Sequence, residues 1–220
     1  MLHGAHTLAS GATAEGAGVS GTFAMGDSSA ALQSPRPAEQ RAAIDALSPS
    51  VAPWVGARIG LGNENEAGLA YTGRAVRLDA RHALEGESTA VSVGAGASAV
   101  LKGREEERAS QGEAVSAPSG FGFDIPILVG WRSRAGVVTL LWGARVGFER
   151  LTFGDSAPGG SALERWYGGA ILGLGIGFRH IHGVFEVDAT YHNVSGSIGG
   201  DDVRFGGVTL SPATALVLTF

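Results

Sequence analysis

Apolar residues alternate with small or polar residues over segments of about ten residues, the period typical of β-strands with two different faces. The segment that ends at Phe220 shows this pattern most clearly. One face carries Leu210, Pro212, Thr214, Leu216, Leu218 and Phe220, and the other carries Thr209, Ser211, Ala213, Ala215, Val217 and Thr219. The first face suits lipid, and the second suits the narrow, mildly polar interior of a closed barrel.

The same alternation predicts further strands along the chain. They cover approximately residues 13–25, 51–61, 66–72, 75–84, 88–101, 119–132, 136–151, 163–180, 183–194 and 205–220. A soluble β-sandwich would carry lysine and glutamate freely on its polar face, whereas here that face is mostly Gly, Ala, Ser and Thr. The pattern predicts an all-β fold, a closed antiparallel transmembrane β-barrel of about ten strands, with eight or twelve as alternatives.

Short and long links alternate between these strands. The short links lie near 63–65, 85–87, 133–135 and 181–182, and the long ones cover 26–50, 102–118, 152–162 and 195–204. Outer-membrane barrels have short periplasmic turns and long outer loops. We therefore expect residues 13–220 to form the barrel, with residues 1–12 as a periplasmic tail. The short link at Gly73-Arg74 breaks the rule, and a tight turn or a β-bulge would explain it.

One long link has a helical pattern. Pro37 followed by good helix formers and by Ala43, Ile44 and Leu47 predicts a short helix over 37–47. This helix could lie over or inside the mouth of the barrel, and an ordered surface loop is the favoured alternative. The sequence does not decide whether segment 26–50 plugs the barrel.

Composition excludes several classes of protein. The 36 glycines are spread through apolar segments, as expected where inward positions of a narrow barrel are crowded. A net charge of −5 and a single lysine argue against nucleic-acid binding. The chain has no cysteine, which rules out disulfides and thiolate metal sites. The first residues lack the pattern of a secretory signal, so we expect a mature form with an added Met, in which a native lipidated cysteine is one alternative.

The last strand carries the most specific resemblance. Leu216, Leu218 and Phe220 form a terminal aromatic with alternating apolar residues before it, which resembles the C-terminal assembly signal of small outer-membrane β-barrel proteins of Gram-negative bacteria. The resemblance covers about residues 13–220. It implies a location in the bacterial outer membrane, contact with outer-membrane lipid and recognition by the barrel-insertion machinery. The family contains anchors, adhesins, narrow pores and a few enzymes, so the resemblance does not fix function.

Charged residues fall on the predicted inner face. They are Arg58, Arg77, Asp79, Arg81, Asp124, Arg145, Glu149, Arg179, Glu186 and Asp188. Their signs are nearly balanced, and unpaired charge in a narrow interior is costly. We therefore interpret them as a network of ion pairs that fills the lumen, with a charged pore lining as the alternative.

Other candidate chemistry is weak. His180 and His182 could share a face, but no third metal ligand is evident nearby. His192 and Ser195 face opposite sides of a regular strand, which argues against a hydrolytic site. Asp201-Asp202 is interpreted as a solvated loop pair. Gly173–Gly177 lacks the helix and acid of a dinucleotide motif.

The sequence therefore predicts no enzyme, no metal and no cofactor. The first hypothesis is a non-enzymatic outer-membrane barrel with a filled polar lumen, which acts as a structural anchor or as a subunit with envelope protein partners. The alternative is a narrow pore for small solutes or ions. A hydrolase of outer-leaflet lipids or peptides is the least favoured.

Overall fold

The computed structural model describes residues 5–47, 50–101, 118–153, 161–178 and 180–220. The described residues form strands and two helices, in this order: β1 Thr13–Gly21, β2 Phe23–Met25, α1 Asp27–Leu32, α2 Pro37–Leu47, β3 Val51–Gly62, β4 Asn65–Tyr71, β5 Ala75–Glu85, β6 Thr89–Val100, β7 Ser119–Arg132, β8 Val138–Phe153, β9 Ser161–Phe178, β10 Ile181–Ile198 and β11 Asp201–Thr219.

Each strand pairs antiparallel with its neighbour in sequence, and the first strand pairs with the last. β1 lies between β3 and β11, and β2 continues β1 past Thr22 and also pairs with β11. At the seam, Thr13 and Phe220 exchange two backbone hydrogen bonds, of 3.1 and 2.9 Å. Because β1 and β2 together fill one position, the sheet is a closed ten-stranded antiparallel barrel. The predicted fold class is confirmed.

The outer face of the barrel is apolar. In β7 the exposed positions are Phe121, Phe123, Ile125 and Ile127, each about half exposed, and they alternate with buried positions. Strands β3, β8, β10 and β11 repeat this arrangement. An exposed apolar band over a closed barrel is the lipid-facing surface of a transmembrane β-barrel. Neither described helix is long and apolar enough to cross a bilayer.

The two ends of the barrel differ. We call the end with the links 63–64, 86–88 and 133–137 the turn end, and the opposite end the loop end. At the loop end the wall is uneven, because β10 and β11 remain paired up to Ile198 and Asp201 whereas β2 pairs with β11 only from Val208 on. On the other side, β4 and β5 stop at Tyr71 and Ala75. The barrel therefore has a tall wall at β8–β11 and a low wall at β3–β6.

Several predicted links differ from the structure. The predicted loop 195–204 is the tip of a β-hairpin, because residues on both strands continue their pairing to a tight turn at Gly199-Gly200, both with positive φ. Residues 181–182, where a short link was expected, are the first residues of β10. The link between β4 and β5 is a tight turn with Gly73 at φ 79°. Most of the predicted loops 102–118 and 152–162 lies outside the described residues.

The first long link closes the loop end. Helix α2 has the predicted bounds, and its Ala42, Ala43 and Ala46 are fully buried. They pack with α1 against inward-facing apolar side chains of the strand tips. Those side chains are Val100, Leu151, Phe153, Leu163, Val194, Ile198, Val203 and Phe205. The favoured expectation of an ordered surface loop is wrong, because the tall wall offers the helices an apolar inner surface to cover.

Residues 5–12 enter the turn end of the barrel. Ala5 is 1% exposed and packs against Leu128, Leu141 and Ile171 on the inner wall. The backbone N–H of Leu8 donates to Glu66 at 2.9 Å, and Gly11 donates to the carbonyl of Gly60 at 2.8 Å. The expected tail is thus fixed inside the barrel mouth, because lumenal carboxylates and carbonyls accept its backbone hydrogen bonds.

Inward glycines make room for the largest lumenal side chains. A Cβ at Gly68 would lie 2.9 Å from the guanidinium carbon of Arg58, and one at Gly96 would overlap the guanidinium of Arg77. A Cβ at Gly56 would lie 2.9 Å from the ring of Trp54. The high glycine content therefore results in part from crowding of the lumen by a few large side chains.

Gly96→Ala should destabilise the barrel, because the added methyl displaces the guanidinium of Arg77 from its carboxylate partners. We expect a loss of about 1–3 kcal/mol in the free energy of unfolding. Gly183→Ala is the control, since the nearest atom to its added Cβ would be the Ile176 carbonyl oxygen at 3.7 Å. Urea titration in detergent micelles, followed by tryptophan fluorescence, measures both. Equal stability of the two variants would contradict the crowding argument.

Candidate functional site

The lumen of the barrel holds two groups of charged side chains, and the first group lies below mid-height. Arg58 bridges Glu66 and Asp79, and Arg81 also donates to Glu66, at 2.8 Å. Arg77 pairs with Asp79 and extends this chain of ion pairs to Asp124 on β7. Because the Glu66 side chain is fully buried, it depends on these arginines for its solvation. We call this set, completed by Asp124, the lower network.

The link from Arg77 to Asp124 crosses from β5 to β7. Two guanidinium nitrogens of Arg77 donate to the two carboxylate oxygens of Asp124, at 2.9 and 2.7 Å. The two side chains are 5% and 3% exposed. The two parallel hydrogen bonds neutralise both charges of this buried pair. A buried ion pair is tolerated only when its geometry is this good.

A second group, the upper network, lies toward the loop end. Arg74 on the low wall donates to Glu149 at 3.2 Å. Arg165 contacts the other oxygen of Glu149 and also donates to the carbonyl of Ala46 in α2. The chain therefore ties the low wall, the tall wall and the helical plug together. Arg145 donates to Asp188 at 3.0 Å.

The predicted inner charges can now be placed. Arg58, Arg77, Asp79, Arg81 and Asp124 meet in the lower network. Arg145, Glu149 and Asp188 lie higher in the lumen. Glu186 is 1% exposed and has an interaction partner. Arg179 lies outside the described residues.

Four further side chains of the lumen lie outside the set of predicted inner charges: Glu66, Arg74, Arg165 and Tyr167. Glu66 and Arg165 lie in the inward phase of their own strands, so the period-two pattern could have found them. The Arg145 and Arg165 guanidinium carbons lie 5.8 and 5.2 Å from the centre of the Tyr167 ring. Arg74 precedes β5 in a tight turn, where no alternation defines a face.

Two cavities lie in the lumen, above and below a constriction. The upper chamber is about 220 Å³, with Leu47 at its roof. The lower one is about 240 Å³ and is bounded by His6 and Leu8 of the N-terminal segment. Between them, Trp54 and the lower network leave a space of about 30 Å³.

His192 and Ser195, which the sequence analysis argues against as a hydrolytic pair, do not come together in the structure. His192 faces the lumen, where its Nε2 lies 2.8 Å from the Thr209 hydroxyl, and Ser195 is exposed on the opposite face of β10. His180 contacts the carbonyl of Thr219, whereas His182 borders the lower cavity. Within the described residues, no cluster of three or more His, Asp or Glu side chains is placed to hold a metal ion.

The remaining predicted positions lie on the surface. Asp201 and Asp202 are exposed at the start of β11. Leu216, Leu218 and Phe220 face outward at the seam, where Leu216 pairs with Ala17 and Leu218 with Glu15. The segment that resembles an assembly signal is therefore also the strand edge that closes the barrel.

No protein-family model matches the sequence, and no curated protein matches it. Solved structures that align over nearly the whole chain include the following three. Neisserial surface protein A is 10% identical, with 95% of this chain and 96% of that chain covered and a TM-score of 0.37. The CymD monoaromatic hydrocarbon channel is 8% identical, with 96% and 88% covered and a TM-score of 0.30. A major outer membrane protein from Thermus thermophilus is 10% identical, with 94% and 99% covered and a TM-score of 0.32. Because these identities and TM-scores are low, the fold is assigned from the strand pairing alone, and no activity is assigned from these structures.

Arg77→Ala should lower the free energy of unfolding by about 3–5 kcal/mol, because it leaves the buried Asp124 without its bidentate partner. Arg150→Ala is the matched control, since Arg150 and Glu164 form an exposed pair at 3.3 Å on the same barrel. That variant should lose less than about 1 kcal/mol. Urea titration of both in the same detergent gives the comparison. A similar loss in both variants would show that burial of the pair is not what matters.

Proposed function

We propose that this chain is a non-enzymatic barrel of the bacterial outer membrane with a closed lumen, which serves as a structural anchor or as a subunit of an envelope assembly. The observation that carries the proposal is that the lumen is obstructed at three levels. α1 and α2 fill the loop end, Trp54 and the lower network fill the middle, and residues 5–12 fill the turn end.

Each obstruction has its own stabilising contacts. The loop-end helices bury apolar surface and are tied to the wall through the contact of Arg165 with Ala46. The middle is held by ion pairs, and the turn end by backbone donors on carboxylates. Opening a path would need all three to move, and each movement would expose either apolar surface or unpaired charge. A permanently closed barrel is therefore favoured over a conducting one.

The outer-membrane location rests on the apolar outer band and on the terminal strand. Lipid contacts the outward side chains, and the barrel-insertion machinery would read Leu216, Leu218 and Phe220 during assembly. An anchor also needs a surface for partners outside the bilayer. The hairpin of β10 and β11 supplies one, because it extends beyond the neighbouring strand at the loop end.

The narrow pore is the second candidate, and the two lumenal cavities favour it. They would form the vestibules of a channel in which Trp54 and the lower network act as the constriction. Arg58 and Arg145 would then set ion selectivity, and replacing either with alanine should change the ratio of cation to anion permeability.

Single-channel recording in a planar lipid bilayer separates the two functions. We expect the refolded wild-type protein to give no steady openings. Replacing residues 27–47 with a short Gly-Ser linker and deleting residues 5–12 should still leave it silent, because the middle obstruction remains. Adding Trp54→Ala and Arg77→Ala to that variant should produce steady openings.

Far-UV circular dichroism is the control for β structure in every variant. Steady openings of the wild-type protein would contradict the closed barrel and would favour the pore. The variant that lacks residues 5–12 and carries the linker in place of residues 27–47 is compared with the variant that also carries Trp54→Ala and Arg77→Ala. Equal conductance of the two variants would show that Trp54 and the lower network do not block the lumen.

Deleting Phe220 should reduce the fraction of protein assembled in the outer membrane by about tenfold or more, because the strand loses both the terminal aromatic and its backbone bonds to Thr13. Thr214→Ala, which also changes an outward position of β11, is the control and should assemble normally. Resistance to unfolding in cold SDS, scored by gel mobility, measures the assembled fraction. Normal assembly without Phe220 would contradict its role in recognition.

A further inference from the structure

A groove of about 540 Å³ crosses the outer face of the barrel on strands β11, β1, β3 and β4. Small side chains form its floor beside larger ones in the same register. Ala17 lies between Leu216 and Val55, and Ala57 lies next to Leu69 on the following strand. The volume falls in the range of roughly 300–1,000 Å³ that is usual for ligand pockets. The lipid-facing surface therefore has a depression beside the seam that is large enough for a bound molecule.

Glu15 lines one end of this groove, and its side chain is exposed on the outer face. Among the described residues, Glu15 has no ion-pair or hydrogen-bond partner. Its neighbours across the two adjacent strands, Leu218 and Ala57, are apolar. A charge on the lipid-facing side of a barrel is destabilising, by an amount that increases toward the middle of the bilayer. A cationic partner supplied by the bilayer would offset this cost.

The position of Glu15 matches the headgroup region of one leaflet. Glu15 is two residues after Thr13, where β1 begins at the turn end, and its neighbour Leu218 is two residues from Phe220. From there the groove extends toward the loop end as far as Tyr71. A lipid in the leaflet at the turn end would therefore have its headgroup beside Glu15 and an acyl chain along the groove. It would enter sideways from the bilayer.

We propose that this groove binds one phospholipid whose headgroup carries a primary ammonium group. The ammonium has a positive charge and three N–H donors, so it pairs with the Glu15 carboxylate through charge-assisted hydrogen bonds. An acyl chain of the same lipid fills the depression over Ala17 and Ala57. The inference rests on the proposed location in the outer membrane and names a lipid partner there, but it does not depend on a closed lumen.

Other occupants conflict with Glu15. A trimethylammonium headgroup has the charge but no N–H donor, and an anionic headgroup adds a like charge. A purely apolar molecule leaves the carboxylate unpaired. A second copy of this chain, related by a two-fold axis along the bilayer normal at the groove, would bring two Glu15 carboxylates together at the same depth. Two like charges repel strongly in a medium of low dielectric constant.

Native mass spectrometry of the full chain in detergent micelles tests the proposal. The probes are phosphatidylethanolamine, phosphatidylcholine and phosphatidylglycerol with identical acyl chains. We expect phosphatidylethanolamine to bind about threefold or more tightly than either of the others. Glu15→Gln should remove this preference, because the neutral amide does not attract the ammonium. Asp202→Asn is the matched control, since it changes the net charge equally at an exposed position of the loop end, and it should keep the preference.

Ala17→Leu tests the groove apart from its charge. The larger side chain occupies the depression and should weaken the binding of all three lipids by about threefold or more. Ala144→Leu is the control, because Ala144 is also exposed on the outer face but lies on β8, outside the groove. Gel mobility in cold SDS confirms that each variant is folded. Ala17→Leu also decides the matter if Glu15→Gln does not fold.

Equal binding of the three lipids by the wild-type chain would overturn the proposal, and so would a preference that survives Glu15→Gln. Equal effects of Ala17→Leu and Ala144→Leu would place the lipid elsewhere on the barrel. A dimer in the spectra that Ala17→Leu dissociates would assign the groove to a second copy. The bilayer recording and the deletion of Phe220 test the closed lumen and the assembly in the outer membrane separately, so their failure is distinguishable from a failure of this site.

Discussion

A charge inside this barrel has to be paired, and that requirement organises the lumen. A ten-stranded barrel is only slightly wider than its own side chains, so an arginine on one strand can reach an acid two strands away. The chain of contacts from Arg81 through Arg58 to Arg77 joins β3, β4, β5 and β7. Each member of this chain would be costly alone. Together they make a cross-brace that also obstructs the lumen.

The glycines and the ion pairs depend on each other. Arg58 and Arg77 can lie across the lumen only because Gly68 and Gly96 leave space above the neighbouring strand. The same holds for Trp54 beside Gly56. The lumen therefore has a few large groups in fixed positions and small residues around them. The upper chamber remains because no large side chain fills it, and its polar wall results from the same inward phase.

The two ends of the barrel are closed by different kinds of interaction. At the loop end, apolar strand tips such as Phe153 and Phe205 are covered by the small side chains of α2, which allow close packing. At the turn end, Glu66 and Glu85 accept backbone hydrogen bonds from Leu8 and Thr7. The first closure is driven by burial of apolar surface. The second is driven by the need of carboxylates, buried at Glu66 and part-buried at Glu85, for hydrogen-bond donors. Both keep the middle of the lumen away from bulk water.

The barrel is predictable from the sequence alone, because alternation with a period of two assigns each strand residue to one of two faces. The same rule predicts inner positions for the charges from Arg58 to Asp188. The helix over 37–47 was also predictable from local pattern. Which charges pair follows from the folded barrel and not from the local pattern. Partners such as Arg77 and Asp124 are 47 residues apart, and their contact depends on strand register.

The plugs were decided by tertiary structure as well. The inward-facing residues change from polar to apolar at Leu151, Phe153 and Leu163. Apolar residues at these inward positions indicate that another segment covers the loop end of the barrel. Nothing in residues 5–12 carries a comparable pattern, because their contacts are mostly through the backbone, whose hydrogen bonds any residue type other than proline can make. The upper chamber depends on the height of two walls and on the position of α2, which are properties of the closed barrel and not of any segment.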